Sequence, residues 1–208
     1  MYDCIIFDVD GTLIDTEAAV LGSLKKFLAE KGCTVPVDEN LRFVLGIPGK
    51  DALSQLGIQD TEEGCRIWNE YMKEFMDDVH PFQGIREVLA ELKSKGIRTG
   101  IVTSKTRQEL EDDFVPFGLM DQLDDVVCAD DTEKHKPCPE PLLKFLEISG
   151  ADPAQSIYIG DTAYDAECAS EAHVDFGLAL WGAPSPDQIK AAAHRLKHPS
   201  DIIGLAGN

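Results

Sequence analysis

The sequence of 208 residues lacks any uninterrupted apolar run near the roughly 20 residues that a membrane-spanning helix needs. It begins with Met1-Tyr2-Asp3-Cys4 and lacks the cationic segment of a secretory signal, so we expect a cytoplasmic protein. Basic residues are scarce, with 19 lysines and arginines against 38 aspartates and glutamates, and the formal net charge is −19. Such a charge repels nucleic acids and anionic lipids, which excludes both as expected partners.

Zinc-binding and disulfide patterns are also missing. The six cysteines are scattered with no C-x-x-C spacing, and the five histidines form no zinc pattern with them. Several cysteines lie in apolar stretches, where a buried free thiol is the expected state. The acidic surface would also repel a phosphorylated substrate unless the binding site holds its own cations, and a divalent metal with one or two lysines would meet that need.

Short apolar segments alternate with helical patterns along most of the chain. Strands are predicted over Cys4–Phe7, Ile97–Val102, Val126–Cys128, Ser156–Ile159 and Val174–Leu180. Helices are predicted over Ile85–Leu92, Gln108–Phe117, Pro141–Ile148, Ala163–Ala172 and Pro186–Leu196. Each strand is almost continuously apolar, as expected where both faces of a sheet are covered. The pattern predicts an α/β fold with a doubly wound parallel sheet and crossover helices.

The segment from about residue 17 to residue 78 breaks this alternation, because it shows helical patterns and no convincing strand. One apolar stripe consists of Val20, Leu21, Leu24, Phe27 and Leu28. A second consists of Trp68, Tyr71, Met72, Phe75 and Met76. We predict a small all-helical cap domain over residues 16–80, inserted after the first strand into a core domain of residues 1–15 and 81–208. Pro81–Gly84 would be the return hinge.

Two aspartates mark the end of the first predicted strand, in the segment Asp8-Val9-Asp10-Gly11-Thr12. Ligands of open α/β sheets bind beyond the carboxyl ends of the strands, so these acids lie where a site is expected. Asp8 and Asp10 are two residues apart on an extended segment and therefore point to the same side. Two carboxylates that face one pocket require a cation or a shared proton between them.

Three later segments also place polar side chains after predicted strands. Thr103 and Ser104 follow the second strand, where a hydroxyl and backbone N–H groups can hold phosphate oxygens. Lys136 lies in a proline-rich segment after the third strand, and the flanking prolines stiffen its backbone. Asp161 follows the fourth strand and Asp165 lies one helical turn later, so both carboxylates can reach one hard cation.

Each of these four segments alone also fits an ordinary structural role, such as a solvated turn, a helix cap, a surface lysine or an acidic helix start. Their occurrence at the ends of four strands, in this order, favours one shared site over four unrelated features. The predicted site positions a phosphoryl group and neutralises its charge, which is most of what phosphoryl transfer requires.

The motif series resembles that of the haloacid dehalogenase-like (HAD) hydrolase superfamily, and the resemblance covers essentially the whole chain. The series consists of Asp8-x-Asp10-Gly-Thr, Thr103, Lys136-Pro and Gly160-Asp161-x-x-x-Asp165. Among subfamilies, the sequence is most similar to the phosphoglycolate phosphatase-like group. The resemblance implies a Rossmann-like core closed by a helical cap of the C1 type. It also implies a Mg2+-dependent phosphohydrolase that acts on a small phosphorylated metabolite through an aspartyl phosphate.

The resemblance further implies roles for the motif residues. Asp8 would attack phosphorus and ligate Mg2+. Asp10 would protonate the leaving oxygen, activate water and ligate the metal through its backbone carbonyl. Thr103 would bind a phosphate oxygen with Ser104 beside it, and Lys136 would hold Asp8 and the phosphoryl group together.

The remaining candidate residues lie in the last motif and in the cap. Asp161 would ligate Mg2+, and Asp165 would support the metal directly or through water. The cap loop from Gly46 to Lys50 is the candidate for substrate selection, with both end residues as candidate substrate-binding groups. The subfamily often has glycine where this chain has His173, and histidine tolerates the left-handed conformation expected there.

Several alternatives stay open at the level of the sequence. A sugar phosphomutase similar to beta-phosphoglucomutase would share the four motifs, although the segment after Asp15 lacks the cap-side histidine of those relatives. Pyrophosphatase activity of the same subfamily is also open. A phospho-accepting signalling receiver module would combine similar side chains but has no helical insertion after its first strand. The oligomeric state is open between monomer and homodimer.

Overall fold

Eight strands and eight α-helices are formed within residues 1–207, which the computed structural model describes. The strands are β1 (Cys4–Phe7), β2 (Ile14–Asp15), β3 (His80–Pro81), β4 (Arg98–Val102), β5 (Asp125–Val127), β6 (Ser156–Gly160), β7 (Asp175–Ala179) and β8 (His194–Leu196). The helices are α1 (Glu17–Glu30), α2 (Asp38–Leu41), α3 (Gly49–Gln55), α4 (Thr61–Met72), α5 (Ile85–Ser94), α6 (Arg107–Asp113), α7 (Glu140–Ser149) and α8 (Ala163–Glu171).

Six of the strands form one parallel sheet in the order β5-β4-β1-β6-β7-β8, which confirms the predicted α/β core. Side chains of β1 alternate between its faces: Ile5 and Phe7 pack into one hydrophobic cluster, and Cys4 and Ile6 pack into the other. Apolar clusters cover both faces, which explains why the strands are almost continuously apolar. The chain order reverses beside β1, so the carboxyl ends of β4, β1 and β6 form the crevice where ligands of such sheets bind.

The helical cap lies between β2 and β3 and contains α1 to α4. Its own apolar cluster is centred on Leu24, Phe27, Leu41, Leu53 and Trp68. Strands β2 and β3 pair antiparallel, Ile14 with Pro81 and Asp15 with His80, so the two chain connections of the cap lie side by side. The pairing forms a short stem between the cap and the sheet. The domain boundaries at residues 16 and 80 stay a prediction.

Two predicted helices differ from the structure. Within Pro186–Leu196 the chain forms a 3-10 turn, Pro186–Gln188, and then β8, which pairs with β7. Hydrogen bonding to the sheet edge and burial of Leu196 outweigh the helical preference of the alanines in this segment. The helix predicted over Gln108–Phe117 ends at residue 113, because Pro116 cannot donate a backbone hydrogen bond and disfavours helical geometry at the residue before it.

Two further expectations concern single features of the chain. His173 follows α8 with φ 57, which confirms the left-handed conformation expected at this position. Among residues 1–207, no helix combines the length and the apolar character that crossing a membrane requires.

Candidate active site

Acids at the ends of β1 and β6 meet in one buried cluster. Carboxylate oxygens of Asp8, Asp161 and Asp165 lie within 4.8 Å of one another, and each of these residues is at most 3% exposed. Gly11 has φ 72, and a Cβ atom there would lie 2.2 Å from Asp161 Oδ2, so only glycine permits this close approach. The hydroxyl of Thr12 donates a hydrogen bond to Asp161 at 3.3 Å.

Lys136 supplies the positive charge inside this cluster. Its ammonium group lies 3.0 Å from Asp8 and 2.7 Å from Asp165, and it donates to the hydroxyl of Tyr158 at 3.1 Å. Burial lowers the pKa of Lys136, but the charges of Asp165 and Asp8 outweigh burial and raise it above the ordinary value. Lys136 therefore stays charged at the centre of the cluster, as its predicted role requires.

Both oxygens of Asp165 accept hydrogen bonds. One accepts from Lys136 at 2.7 Å and lies 3.0 Å from the hydroxyl of Tyr158, whose single proton also faces the carbonyl of Val102 at 2.8 Å. The other accepts from the backbone N–H and the hydroxyl of Thr162, at 3.0 and 2.6 Å. Burial raises the pKa of Asp165, but Lys136 and the hydrogen bonds outweigh burial, and the pKa lies below its ordinary value. These contacts show that Asp165 orients Lys136. Its support of the metal, directly or through water, stays a prediction.

Asp8 and Asp161 keep capacity for a cation. Burial, opposed by the ammonium group of Lys136, raises the pKa of Asp8 to about 7. Burial and the charges of Asp165 and Asp8 raise the pKa of Asp161 well above its ordinary value. Buried carboxylates that are difficult to ionise alone gain most from a hard divalent ion, which prefers oxygen ligands. The cluster therefore fits a metal site.

Asp10 turns its side chain away from this cluster and faces a second buried lysine. The ammonium group of Lys105 lies 3.1 Å from Asp10 and 2.7 Å from Asp113. Oδ1 of Asp10 is buried and accepts no hydrogen bond within residues 1–207, which leaves the ion pair with Lys105 to hold it. Burial lowers the pKa of Lys105, but the charges of Asp10 and Asp113 outweigh burial and raise it. Because the side chain of Asp10 faces Lys105, its backbone carbonyl remains the expected metal ligand.

Thr103 and Ser104 lie at the end of β4, as the sequence predicts. The hydroxyl oxygen of Thr103 accepts the backbone N–H of Lys105 at 3.2 Å, which leaves its own proton to donate to a ligand. Ser104 donates its hydroxyl proton to the backbone carbonyl of Gly46 at 2.8 Å. The phosphate-binding role of Thr103 therefore stays a prediction, whereas Ser104 joins the core to the cap.

A cavity of about 90 Å³ lies between the core and the cap. A cavity needs only about 10–15 Å³ to hold one water, so this space accommodates several non-hydrogen atoms. The core wall consists of Asp8, Asp10, Ser104, Lys105, Glu109 and Asp113. The cap wall includes Val20, Val44, Gly46, Ile47, Trp68, Asn69 and Met72. The cavity connects the predicted nucleophile and acid to the cap, which is the arrangement that a capped enzyme needs.

The cap loop contributes Gly46 to this cavity, but Lys50 lies elsewhere. Gly46 has φ 90, and a Cβ atom there would lie 2.9 Å from Thr162 Cγ2, so this loop approaches the core too closely for another residue. Lys50 is 56% exposed, forms an ion pair of 2.9 Å with Glu62, and lines neither of the two cavities beside the motif residues within residues 1–207. The predicted substrate-binding role of Lys50 gains no support from this position.

The sequence motifs did not single out Lys105, Asp113 or Tyr158. Asp113 shares a helical stripe with Leu110 and Phe114, and an acid on such a buried stripe is a signal of an ion pair. Tyr158 is a hydroxyl-bearing residue in a central apolar strand, and its hydroxyl donates to the backbone carbonyl at the end of β4. The sequence therefore contains a signal for Asp113 and one for Tyr158, but neither signal identifies the residue that each side chain contacts.

Together, the strand-end acids, the two buried lysines and the capped crevice define an α/β enzyme of phosphoryl transfer. The sequence profile of the haloacid dehalogenase-like hydrolase family matches residues 5–179. The chain belongs to this family and is one of its phosphatases.

Relatives of the chain match over nearly its whole length. Phosphoglycolate phosphatase of Aquifex aeolicus (strain VF5) is 31% identical over 207 residues, which are 98% of this chain and 96% of that protein. Pyrophosphatase PpaX of Bacillus cereus (strain G9842) is 32% identical over 210 residues, with the same two shares. A crystal structure from Lactobacillus plantarum, provisionally assigned as a phosphoglycolate phosphatase, is 33% identical, covers 99% of each chain and has a TM-score of 0.89. The comparisons confirm the predicted fold and phosphatase class and exclude the signalling receiver.

Proposed function

We propose that the chain is a Mg2+-dependent phosphohydrolase of small phosphorylated metabolites in which Asp8 forms a covalent aspartyl phosphate. The observation that carries this proposal is the burial of Asp8 between Lys136 and Asp161, at the end of a cavity that Asp10 also lines. This arrangement supports a division of roles in which one carboxylate attacks phosphorus and a second, separate carboxylate transfers protons.

The metal would be held by Asp8, Asp161 and the backbone carbonyl of Asp10, with Asp165 in support. When bound, Mg2+ neutralises the charge of the carboxylates and of the transferring phosphoryl group. Lys136 shares in this task, since its ammonium group already contacts Asp8.

The side chains of the site would act in two steps. In the first, Asp8 attacks phosphorus while the hydroxyl of Thr103 donates to a phosphate oxygen, and Asp10 gives its proton to the leaving ester oxygen. In the second, Asp10 takes a proton from the water that hydrolyses the aspartyl phosphate. The ion pair with Lys105 would hold Asp10 in position for both steps, and its positive charge favours the ionised form of Asp10 that takes the proton in the second step.

The relatives support hydrolysis over the alternative mutase reaction. The relatives from Aquifex aeolicus and Bacillus cereus are a phosphatase and a pyrophosphatase. Both activities transfer a phosphoryl group to water. The cytoplasmic location and the choice between monomer and homodimer stay predictions from the sequence.

Steady turnover of p-nitrophenyl phosphate tests the proposed function. We expect turnover with Mg2+, none after chelation, and none in Asp8→Asn. Acid-quenched wild-type enzyme should carry the mass of one phosphoryl group on the peptide that contains Asp8. The control is Asp3→Asn, an exposed acid at the opposite end of β1. Retained turnover in Asp8→Asn refutes the nucleophile, and an inactive wild-type enzyme with Mg2+ refutes the function.

A further inference from the structure

We propose that the substrate is a phosphomonoester whose alcohol carries no anionic group, so that the leaving alcohol is uncharged or bears an amine. The inference rests on the proposed phosphohydrolase function and concerns the part of the substrate that occupies the cavity between the core and the cap. The observations that support this inference are the charge on each cavity wall and the contacts that each charged group already makes.

The core wall of the cavity has more negative than positive groups. Four carboxyl groups line it, from Asp8, Asp10, Glu109 and Asp113, against the single ammonium group of Lys105 among its described lining residues. With Asp10 protonated, as its role as proton donor requires, three carboxylates remain and still outnumber the one cation. Lys105 is held between two of these acids, at 3.1 Å from Asp10 and 2.7 Å from Asp113. A carboxylate on the leaving alcohol would have to compete with both acids for this one cation.

The cations at the phosphate end of the cavity are also committed. Lys136 lies between Asp8 and Asp165, both within 3.0 Å of its ammonium group. The proposed Mg2+ would be shared by two carboxylates and the transferring phosphoryl group. A second anionic group on the substrate would therefore face like charges, which repel strongly where solvent is partly excluded.

A second cavity beside Asp10 also has more carboxylates than cations among its described lining residues. It contains one further cation among its described lining residues, Arg42, which pairs with Glu17 at 2.8 Å. Asp15 and Asp161 also line this cavity. An anionic group that entered from this side would again meet more carboxylates than cations.

The cap wall is mostly apolar and favours a hydrocarbon segment. Val20, Val44, Ile47, Trp68 and Met72 line it. Its amide-bearing residue, Asn69, donates to Glu109 at 3.0 Å and is thus already partnered. Desolvating a carboxylate against such a wall is far less favourable than burying a methyl or methylene group. The inference separates this chain from its named relatives, because glycolate carries a carboxylate and pyrophosphate a second phosphoryl group.

Three monoesters of nearly equal size test the inference: propyl phosphate, phosphoethanolamine and phosphoglycolate, with inorganic pyrophosphate as a fourth probe. We expect kcat/KM for the first two to exceed the values for phosphoglycolate and pyrophosphate by at least ~10-fold, because an added negative charge is repelled in a site of reduced dielectric. A preference for phosphoglycolate or pyrophosphate overturns the inference and leaves the phosphohydrolase function standing. Failure to turn over any of the four, or p-nitrophenyl phosphate, overturns both.

A matched pair of variants tests the electrostatic cause. Glu109→Gln removes one negative charge from the cavity and keeps a side-chain oxygen for the capping interaction with Thr106. We expect the ratio of kcat/KM for phosphoglycolate to that for propyl phosphate to rise at least ~3-fold. Glu111→Gln removes an exposed charge two residues along the same helix and should leave the ratio unchanged. Equal ratios in the two variants overturn the electrostatic cause.

Discussion

The two walls of the cavity differ in how their side chains are held. On the core wall, charged groups fix one another: Lys136 and Lys105 each lie between two buried or partly buried carboxylates at 2.7 to 3.1 Å. The cap wall is mostly apolar, and its polar links to the core include Ser104 to Gly46 and Asn69 to Glu109. The difference indicates that the reaction depends on the fixed positions of the charged groups in the core wall. Substrate selection, in contrast, depends on the apolar area of the cap wall and on the excess negative charge of the core wall.

Replacing the central cation of the core wall should have the largest effect. Lys136→Met leaves buried acids without their ammonium partner, so we expect activity to fall at least ~10³-fold and the metal-free protein to lose about 3–5 kcal/mol of stability. Kinetics and urea unfolding in chelator measure the two effects. Lys134→Met, an exposed lysine two residues earlier, is the control. An unchanged unfolding midpoint in Lys136→Met would contradict the view that the core charges depend on one another.

The second buried lysine should affect substrates unequally. In Lys105→Met, Asp10 loses the group that directs it, so we expect hydrolysis of propyl phosphate to fall about 100-fold. Turnover of p-nitrophenyl phosphate should fall much less, because its leaving phenolate needs little protonation. The double variant K105M/D113N removes one of the two carboxylate charges that would otherwise lack a partner and should regain part of the lost stability without regaining alkyl phosphate hydrolysis. Equal losses on both substrates would show that Lys105 has only a structural role.

Chelation should make the stability of the core depend on pH. Burial raises the pKa of Asp8 to about 7 and that of Asp161 well above its ordinary value. An acid that holds its proton more tightly when folded favours folding at low pH, and this contribution is lost as the pH rises through the folded pKa. Asp165, with its lowered pKa, changes stability only at more acidic pH. The metal-free protein should therefore lose stability as the pH rises from about 4 to about 7.

Thermal unfolding with EDTA and with Mg2+ across this range measures the effect. Mg2+ binds the ionised carboxylates, so its stabilisation should be larger at the alkaline end, by several degrees in Tm. A metal-free Tm that rises across the same range would contradict the assigned burial of these acids.

The cap loop lysine should have the smallest effect. Lys50 is exposed and pairs with Glu62 outside the cavity, where solvent screens the pair and leaves it little effect. We expect Lys50→Ala to change kcat/KM less than ~2-fold for propyl phosphate and phosphoglycolate alike. A selective loss with phosphoglycolate would show that this lysine reaches the substrate after all and would weaken the contrast between the two walls.

The acids and the lysine of the motifs could be placed from the sequence because parallel strands bring their carboxyl ends to one crevice. Asp8, Asp161 and Lys136 follow strands that the apolar pattern identifies directly. The helical cap was also predictable, since apolar stripes of helical period replace strands over that segment.

The partners of these groups could not be placed in the same way. The contact between Lys105 and Asp113 depends on how α6 packs against the end of β4, and no local pattern encodes that packing. The prediction of a helix over residues 186–196 was wrong. Its alanines favour a helix, but the end of the segment pairs with the edge strand β7 and forms β8. Lys50 lies outside the cavity because α3 directs its side chain towards Glu62. The spacing of residues along the chain does not determine this direction.

The short stem of β2 and β3 has a consequence for how this protein can change. Because Ile14 pairs with Pro81, the two points where the cap leaves and rejoins the sheet are neighbours in one antiparallel pair, about 5 Å apart. Any folded insert whose ends lie equally close can replace the cap without stretching the strands that hold the catalytic acids. The architecture thus permits the whole cap to be replaced as one unit, so that new substrate preferences can arise while the catalytic acids stay unchanged.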